Sequence, residues 1–349
     1  MTIPLPDGAG QFLRRLSTAL PALFLILSCP QAGAREITDM AGRGVTLPEH
    51  IGHIYASQPY THVLAYMVAP DLLVGHLSII DPRYLRPEAA NLPMLGGNPG
   101  QRSPVNMETV MAAKPDFVLV KGNAQSDMTR TTEQYSKLNL PVVFVDLDKI
   151  DDYAAGIEFL GKLVGREERA EKMAAYARKA LAEVDAAVAT IPEEKRLRIY
   201  YVEAADGLAT ECDQSFHVDA IKRAGGKIVH ECLLKTHMGM EKVSLEQIIN
   251  YNPDVIVSQN PQFEEMALAD PRWQGIKAVA DHKILSIPRT PFNWIDRPPS
   301  VMRIIGIQWL AHHLYPQAYG ADLRQNLRDF HQLFMGFDPS AEDLDKWAN

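Results

Sequence analysis

The sequence predicts an α/β protein with two lobes, each built around a parallel sheet, one long α-helix between them, and a ligand cleft where the lobes face each other. Three observations predict this fold. Short apolar strands alternate with helical patterns in both halves of the chain. A helix–strand unit occurs twice, 138 residues apart. An amphipathic helical pattern without glycine or proline joins the two halves.

The first half, residues 35–165, shows the strand–helix alternation of a parallel sheet. The predicted strands are "HIYAS" at 53–57, "LLVGH" at 72–76, "DFVLV" at 116–120 and "PVVFVD" at 141–146. Helical patterns separate them. Because parallel strands need crossover connections, this order predicts a sheet whose two faces are covered.

The second half, residues 192–349, repeats the scheme. Its predicted strands are "RIYYVEA" at 198–204, "DVIVS" at 254–258 and "KILSI" at 283–287, and a final helix is predicted from Pro299. Each half therefore has the alternation expected of a Rossmann-like lobe.

The duplicated unit is the most specific pattern in the chain. "METVMAAKPDFVL" at 107–119 aligns without gaps with "LEQIINYNPDVIV" at 245–257. Both copies have a glutamate in the second position, Glu108 and Glu246. Both have Pro-Asp before the strand, which is typical of a turn where a helix ends.

Residues 166–191 are predicted to form one connecting helix. Apolar side chains recur every three or four residues, and the pattern ends before Pro192. A helix of this length measures about 39 Å at ~1.5 Å per residue. It places the first lobe at 35–165 and the second at 192–349.

Residues 1–34 have the layout of a secretory signal peptide. Arg14 and Arg15 precede an apolar run, and small residues that end at Ala34 match a cleavage site. We therefore expect a periplasmic protein that is cleaved near Ala34. The alternative is a lipid anchor at Cys29, but the residues before that cysteine fit a lipoprotein signal poorly.

The charge and the cysteines bound the function further. Without residues 1–34 the chain keeps 33 basic and 42 acidic residues, a net charge of −9. An acidic protein of this kind is not expected to bind nucleic acid, which requires clustered positive charge. Cys212 and Cys232 remain, and a disulfide and two separate thiols are both open.

These features together resemble the periplasmic binding proteins that serve ABC importers of iron–siderophores, cobalamin and haem, in the class whose lobes are joined by a long helix. "KPDFVLV" and "NPDVIVS" carry the most specific part of the likeness. The resemblance implies a monomer that captures a ligand between its lobes and delivers it to a permease dimer. It implies that Glu108 and Glu246 dock into arginine pockets, one on each permease subunit. The alternative is that both are ordinary acids favoured at helix starts.

Candidate ligand-binding residues lie mainly in loops after predicted strands, where open α/β sheets bind ligands. They are Tyr60, His62, Asn98, Lys121, Asn123, Cys212, Phe216, His217, His237, Asn260, Trp294 and Arg297. Aromatic and cationic side chains together suit a bulky, partly planar anion. His62, His217 and His237 are also candidate metal ligands, and each histidine is equally compatible with an ordinary structural role.

We expect the ligand to be a metal chelate, first a ferric siderophore with iron as the metal. Haem, cobalamin and a nickel chelate are further candidates. The alternative within the same fold is an oxyanion of the molybdate or tungstate type, held by backbone amides. No intrinsic cofactor is expected.

An enzyme is the main alternative from another class, and the sequence argues against it. It contains no G-x-S-x-G, no H-E-x-x-H and no G-x-G-x-x-G after a strand. A periplasmic ligand sensor also stays open. Removing Glu108 and Glu246 would abolish import but would leave such a sensor functional.

Overall fold

Two parallel sheets, one in each half of the chain, form the framework of the computed structural model. It describes residues 33–96, 105–125, 127–233 and 239–348. The strands in these ranges are β1 (Ala34–Thr38), β2 (Gly44–Pro48), β3 (Ile54–Ala56), β4 (Phe117–Lys121), β5 (Val142–Val145), β6 (Arg198–Val202), β7 (Ala209–Thr210), β8 (Lys227–Ile228), β9 (Glu241–Lys242), β10 (Val255–Ser258) and β11 (Ile284–Ser286).

The helices cover the faces of these sheets. In the same ranges they are α1 (Pro59–Val68), α2 (Met107–Ala112), α3 (Thr129–Ser136), α4 (Tyr153–Leu163), α5 (Glu167–Ala189), α6 (Asp219–Arg223), α7 (Leu245–Tyr251), α8 (Phe263–Ala269), α9 (Lys277–Ala280), α10 (Arg303–Leu314), α11 (Leu323–Phe330) and α12 (Ala341–Ala348). A π-helical turn, His331–Met335, follows α11. Within the described ranges, no helix combines the length and the apolar character that a membrane span requires.

The first sheet has the order β3-β4-β5, and all its strands are parallel. Ile54 pairs with Phe117, and Val118 pairs with Val142. The side chains of β3 and β5 are buried along the whole length of each strand. Such continuous apolar strands are expected where helices cover both faces of a sheet.

The second sheet has the order β11-β10-β6-β8 and is also parallel. Every residue of β10 is buried, and Ile256 pairs with both Tyr200 and Ile284. Two small antiparallel ribbons, β1–β2 and β7–β9, complete the strands. The predicted α/β class with two parallel sheets is therefore confirmed.

The long helix between the sheets is α5, with 23 residues and a length of about 35 Å at ~1.5 Å per residue. It packs on α4 and α10. The packed face is made of small and medium apolar residues, Ala170, Met173, Ala174, Ala177, Ala180, Leu181 and Val184. Small side chains let the helix axes approach closely: a Cβ atom on Gly161 of α4 would lie 2.2 Å from that of Ala170.

The two copies of the duplicated unit have the same local structure. In the first copy, the Oδ2 atom of Asp116 accepts hydrogen bonds from the backbone N–H groups of Gly52 and His53, at 2.7 and 2.8 Å. In the second, the Oδ2 atom of Asp254 accepts one from the N–H of Arg198 at 3.0 Å. Each aspartate thus fixes the start of the neighbouring parallel strand, and we call these contacts the strand clamps.

Two predicted elements differ from the structure. "LLVGH" makes only isolated bridges, from Leu73 to Ile54 and from His76 to Met94. Here Gly75 lies against Leu95, so that a Cβ atom would contact that side chain at 2.5 Å. The last predicted helix begins at Arg303 instead of Pro299, after a turn. Residues 34–349 form one compact unit, and the lobe boundaries at 165 and 192 stay a prediction.

Candidate functional site

Side chains from both halves of the chain meet beyond the carboxyl ends of the strands. Lys121 is the last residue of β4, and its Nζ atom lies 5.1 Å from the ring centre of Tyr60 and 5.8 Å from that of Phe216. Tyr60 belongs to the first turn of α1, whereas Phe216 comes from the second half, just before α6. We define the cleft site as Tyr60, Lys121, Asp148, Phe216, His217, Asp296 and Arg297.

The ammonium of Lys121 is fixed by an ion pair. Its Nζ atom lies 2.6 Å from Oδ1 of Asp148, whose other oxygen accepts a hydrogen bond from Nδ2 of Asn123 at 2.5 Å. The backbone N–H of Lys121 donates to Oε1 of Gln58 at 2.6 Å. An ammonium has three N–H donors, so one ion pair leaves further capacity for an anionic ligand.

His217 is oriented by a buried carboxylate. Its Nδ1 atom lies 2.7 and 2.8 Å from the two oxygens of Asp296. The hydroxyl of Tyr201 donates to Oδ2 of the same residue at 3.2 Å. Because a carboxylate only accepts, Nδ1 carries the proton, and Nε2 is the ring atom that can contact a ligand. This atom can coordinate a metal when the ring is neutral and can donate to an anion when the ring is protonated.

Tyr60 stays a hydrogen-bond donor at neutral pH. Burial raises the pKa of its hydroxyl, and the charge of Asp296 raises it further against the opposing effects of Arg297 and Arg303. The hydroxyl therefore keeps its proton. Ring contacts of Phe292 with His62 and Tyr66, at 6.1 and 5.3 Å between centroids, show that α1 packs against the second half of the chain here.

Arg297 joins the cleft site to two buried glutamates. Its Nε atom donates to Oε1 of Glu203 at 2.6 Å, and its Nη2 atom donates to Oε1 of Glu211 at 2.9 Å. The backbone N–H of Met240 donates to both carboxylates at 3.0 Å. Both acids are fully buried at the side chain. Burial, and then the hydrogen bond with Glu211, raise the pKa of Glu203 to about 9 despite the opposing charge of Arg297.

Cys212 and Cys232 form a disulfide, with their Cα atoms 5.3 Å apart. This settles the alternative that the sequence left open. Together with His230 they form a Cys/His cluster among the described residues, with ligand atoms within 4.8 Å of one another. The disulfide uses both sulfur atoms and gives Cys212 a structural role. Its predicted contact with a ligand stays a prediction.

His62 and Trp294 are packing residues in the structure. His62 is 1% exposed, next to the rings of His76 and Phe292, and burial lowers its pKa to about 3, so the ring is neutral. The indole N–H of Trp294 donates to the carbonyl of Thr290, and its ring packs on Trp347. Both side chains are buried in this structure, and their contact with a ligand stays a prediction.

The remaining predicted positions are less informative. Oδ1 of Asn260 accepts from the N–H of Gln262 at 3.0 Å and shapes the turn after β10. Asn98 and His237 lie outside the described residues, as does Cys29 with the predicted signal peptide up to residue 32.

Asp148 in the cleft site, and Glu203 and Arg303 beside it, were not among the residues predicted from the sequence. Asp148 follows β5, and Glu203 follows β6 directly, so position after a strand is the signal that would have found both. Glu203 had been counted as part of its strand. Arg303 was expected within the last helix. Its Nε atom donates to the carbonyl of Ile295 at 2.6 Å, and Nη2 donates to that of Phe216 at 2.9 Å, so it holds two loops of the site together.

The two predicted docking acids occupy equivalent positions. Glu108 and Glu246 are both exposed, and each is the second residue of a short helix, α2 or α7. Asn106 and Ser244 cap these helices through side-chain oxygens. The local backbone and Ser244 lower the pKa of Glu246. Their role in docking stays a prediction.

Comparisons with known proteins show which proteins this chain is similar to. A family model described as periplasmic binding protein matches residues 81–291. The molybdate-binding protein MolA of Haemophilus influenzae is 30% identical over 91% of this chain and 95% of its own length.

Two solved structures are similar over nearly the same span. An ABC transporter solute-binding protein from Sulfurospirillum deleyianum is 36% identical, with a TM-score of 0.82, over 90% of this chain and 98% of its own. The structure of Haemophilus influenzae MolA bound to molybdate is 27% identical, with a TM-score of 0.69, over 88% of this chain and 99% of its own.

Proposed function

Because the chain belongs to the periplasmic binding protein family, whose members bind ligands and are not enzymes, we propose that it captures a small oxyanion of the molybdate or tungstate class and delivers it to an ABC importer. The observation that carries the proposal is the cleft site. There, Lys121 reaches from the first half of the chain to Phe216 of the second.

The approach of the two halves at Lys121 and Phe216 supports a small ligand. The Nζ atom of Lys121 lies 5.8 Å from the centre of the Phe216 ring, so one side chain of the first half reaches the second half. A haem or a ferric siderophore, which is larger, would require the two halves to move apart at this contact. A tetrahedral oxyanion can be surrounded by donors from both sides at such a separation.

The donors present are those that an oxyanion requires. Lys121 supplies an ammonium and Tyr60 a protonated hydroxyl. The ten-residue helix α1 begins at the carboxyl end of β3, beside Tyr60. The amino end of a helix favours anions through its unpaired N–H groups and its dipole.

Similarity adds independent support. The identity with the molybdate-binding MolA extends over 91% of this chain, so it includes both halves and the helix between them. A metal chelate, such as the ferric siderophore favoured by the sequence, is the second candidate. It is supported by His217, whose Nδ1 is bound to Asp296 in the arrangement that prepares Nε2 for a metal.

Delivery is proposed to use the two repeat acids. Glu108 and Glu246 are exposed, and each belongs to one copy of the duplicated unit. A two-fold symmetric permease presents the same surface twice, and two equivalent carboxylates match it. We place this delivery in the periplasm, after cleavage near Ala34.

The test is calorimetric titration of the purified mature protein with molybdate, tungstate, sulfate, haem and a ferric siderophore. We expect saturable binding of molybdate and tungstate. Lys121→Ala should weaken it about 10- to 100-fold, because a charge-assisted hydrogen bond contributes about 1.5–3 kcal/mol. Lys179→Ala, a control at an exposed lysine of α5, should not change the affinity. Tight binding of haem or the ferric siderophore without binding of molybdate would reject the oxyanion.

A further inference from the structure

A second pocket with three arginines lies at the start of α5. It is a cavity of about 190 Å³, which corresponds to the volume of roughly six water molecules at about 30 Å³ each. The cleft site shares none of its lining residues, which are Val68, Pro70, Asp71, Arg86, Glu88, Arg166 and Arg169.

The charges that line this pocket do not balance. Three guanidinium groups face two carboxylates, a formal excess of one positive charge. Arg166 pairs with Asp71 at 2.9 Å, and Arg86 pairs with Glu88 at 3.2 Å.

Arg169 has backbone partners in this pocket. Its Nη2 atom donates to the carbonyls of Met67 and Leu333, at 3.0 and 2.9 Å. Burial, followed by the charge of Arg86, lowers its pKa. The nearby acid Glu168 is exposed and forms its ion pair with Lys172.

A buried polar atom in the pocket is without a partner. Arg86 is only 8% exposed, yet its Nε–H has no hydrogen-bond acceptor among the described residues. Buried N–H groups of charged side chains are costly to leave unpaired, and in native proteins nearly all are satisfied by protein, water or ligand. Because this atom has almost no accessible surface, a bound acceptor satisfies it only when the Arg86 guanidinium turns toward the pocket that it lines.

We propose that this arginine pocket, formed by Arg86, Arg166 and Arg169, is a second anion site that binds a phosphate group, either free phosphate or the headgroup of a phospholipid. Guanidinium groups match phosphate oxygens in a planar, bidentate geometry. The pocket lies at the amino end of the 23-residue helix α5, where the helix dipole also favours an anion.

Occupancy would join three parts of the fold. Arg169 already links the end of α1, through Met67, to the π-helical turn His331–Met335, through Leu333. Nη1 of Arg86 approaches the carbonyl of Phe334 in the same turn at 3.5 Å. A phosphate that neutralises both guanidinium groups would therefore strengthen the contact between the C-terminal segment and the first half.

The experiment is titration of the mature protein with inorganic phosphate at constant ionic strength, followed by thermal shift and calorimetry. A parallel arm measures co-sedimentation with phosphatidylcholine vesicles, with and without phosphatidylglycerol. Arg166→Gln is the main variant, because its side chain is 41% exposed and its replacement is expected to leave the fold intact. Arg178→Gln, at an arginine on the same helix that pairs with Glu158, is the matched control.

We expect saturable stabilisation by phosphate, at least tenfold weaker binding in Arg166→Gln, and unchanged binding in Arg178→Gln and Lys121→Ala. Retention in Lys121→Ala separates this site from the cleft site. Binding only to vesicles that contain phosphatidylglycerol, lost in Arg166→Gln, would identify the headgroup as the source of the phosphate. The proposal is overturned if neither arm shows saturable binding, or if Arg178→Gln weakens it as much as Arg166→Gln.

Discussion

Arg297 adopts a left-handed backbone conformation, with φ of +53°. For a residue with a Cβ atom this region costs about 1–2 kcal/mol. The hydrogen bonds from Arg297 to Glu203 and Glu211 hold the side chain in place and offset that cost. Removal of either acid would leave the other partners of this buried network unpaired. The free-energy cost of those unpaired groups exceeds the net stabilisation that the intact network provides.

Stability should fall as the pH rises, because Glu203 holds its proton more tightly in the folded protein. Its pKa is raised from 4.5 to about 9, so its contribution is complete below pH 4.5 and is lost progressively as the pH approaches 9. The slope is at most about 1.4 kcal/mol per pH unit. Glu203→Gln, a neutral side chain of the same shape, should flatten it. Urea unfolding at pH 5, 7 and 8.5 measures this.

A matched variant separates this effect from general alkaline sensitivity. Glu194→Gln changes an exposed glutamate, and the slope of its stability against pH should be the same as in the wild type. If Glu203→Gln also kept that slope, Glu203 would not be the group that titrates.

Helices α4 and α5 meet through glycine and alanine. A Cβ atom added to Gly161 would lie 2.2 Å from Cβ of Ala170 and 3.1 Å from the carbonyl oxygen of Arg166. Close approach here fixes the start of α5 against the first half of the chain. It also positions the arginine pocket, because Arg166 and Arg169 flank the same contact.

Gly161→Ala should destabilise the protein by about 1–3 kcal/mol, because overpacking in a close helix contact forces the backbones apart. Helix propensity alone would give the opposite sign, a gain of about 1 kcal/mol. Thermal unfolding distinguishes the two signs. Gly275→Ala, where a Cβ atom would contact nothing within 4 Å, should be nearly neutral. Adding Ala170→Gly to Gly161→Ala should restore part of the loss, and a stabilised Gly161→Ala variant would refute the close packing.

The elements were predictable where the pattern was long. The three- and four-residue spacing over 166–191 predicts α5 to within two residues at each end, since one face of a long helix must be apolar. "LLVGH" at 72–76 was not predictable in the same way. A short apolar run fits a strand and a buried loop equally well, and only the contact of Gly75 with Leu95 decides between them.

The docking surface proposed at the two repeat acids, Glu108 and Glu246, can be tested by charge reversal. Glu108→Lys and Glu246→Lys should each reduce ligand-dependent uptake by reconstituted transporter more than tenfold. The reason is that like charges opposed across an interface cost several kcal/mol. The double variant should abolish uptake while ligand affinity stays unchanged.

The control for this test is Glu265→Lys, at an exposed acid of α8 outside the duplicated unit. It should transport normally. Uptake that survived the double reversal, with ligand binding intact, would exclude docking through these acids.

The position of the cleft site was predictable, but its internal pairing was not. Tyr60, Lys121 and Phe216 come together as expected, because strands in parallel sheets direct their following loops to one edge. The partners Asp148 and Glu203 depend on loop conformations that leave no periodic signal in the sequence. His62 has the residue type of a ligand contact, but its place on the inner face of α1 makes it part of the core.

The strand clamps have a consequence for how binding can be observed. The carboxylates of Asp116 and Asp254 accept hydrogen bonds from backbone N–H groups beside the neighbouring strand, and so couple each acid-bearing helix to its own sheet. The distance between Glu108 and Glu246 therefore reports the angle between the two sheets, because motion of the loops does not absorb a change in that angle. A transporter that contacts both acids would sense this distance directly. A pair of spin labels beside the two acids would measure it in solution.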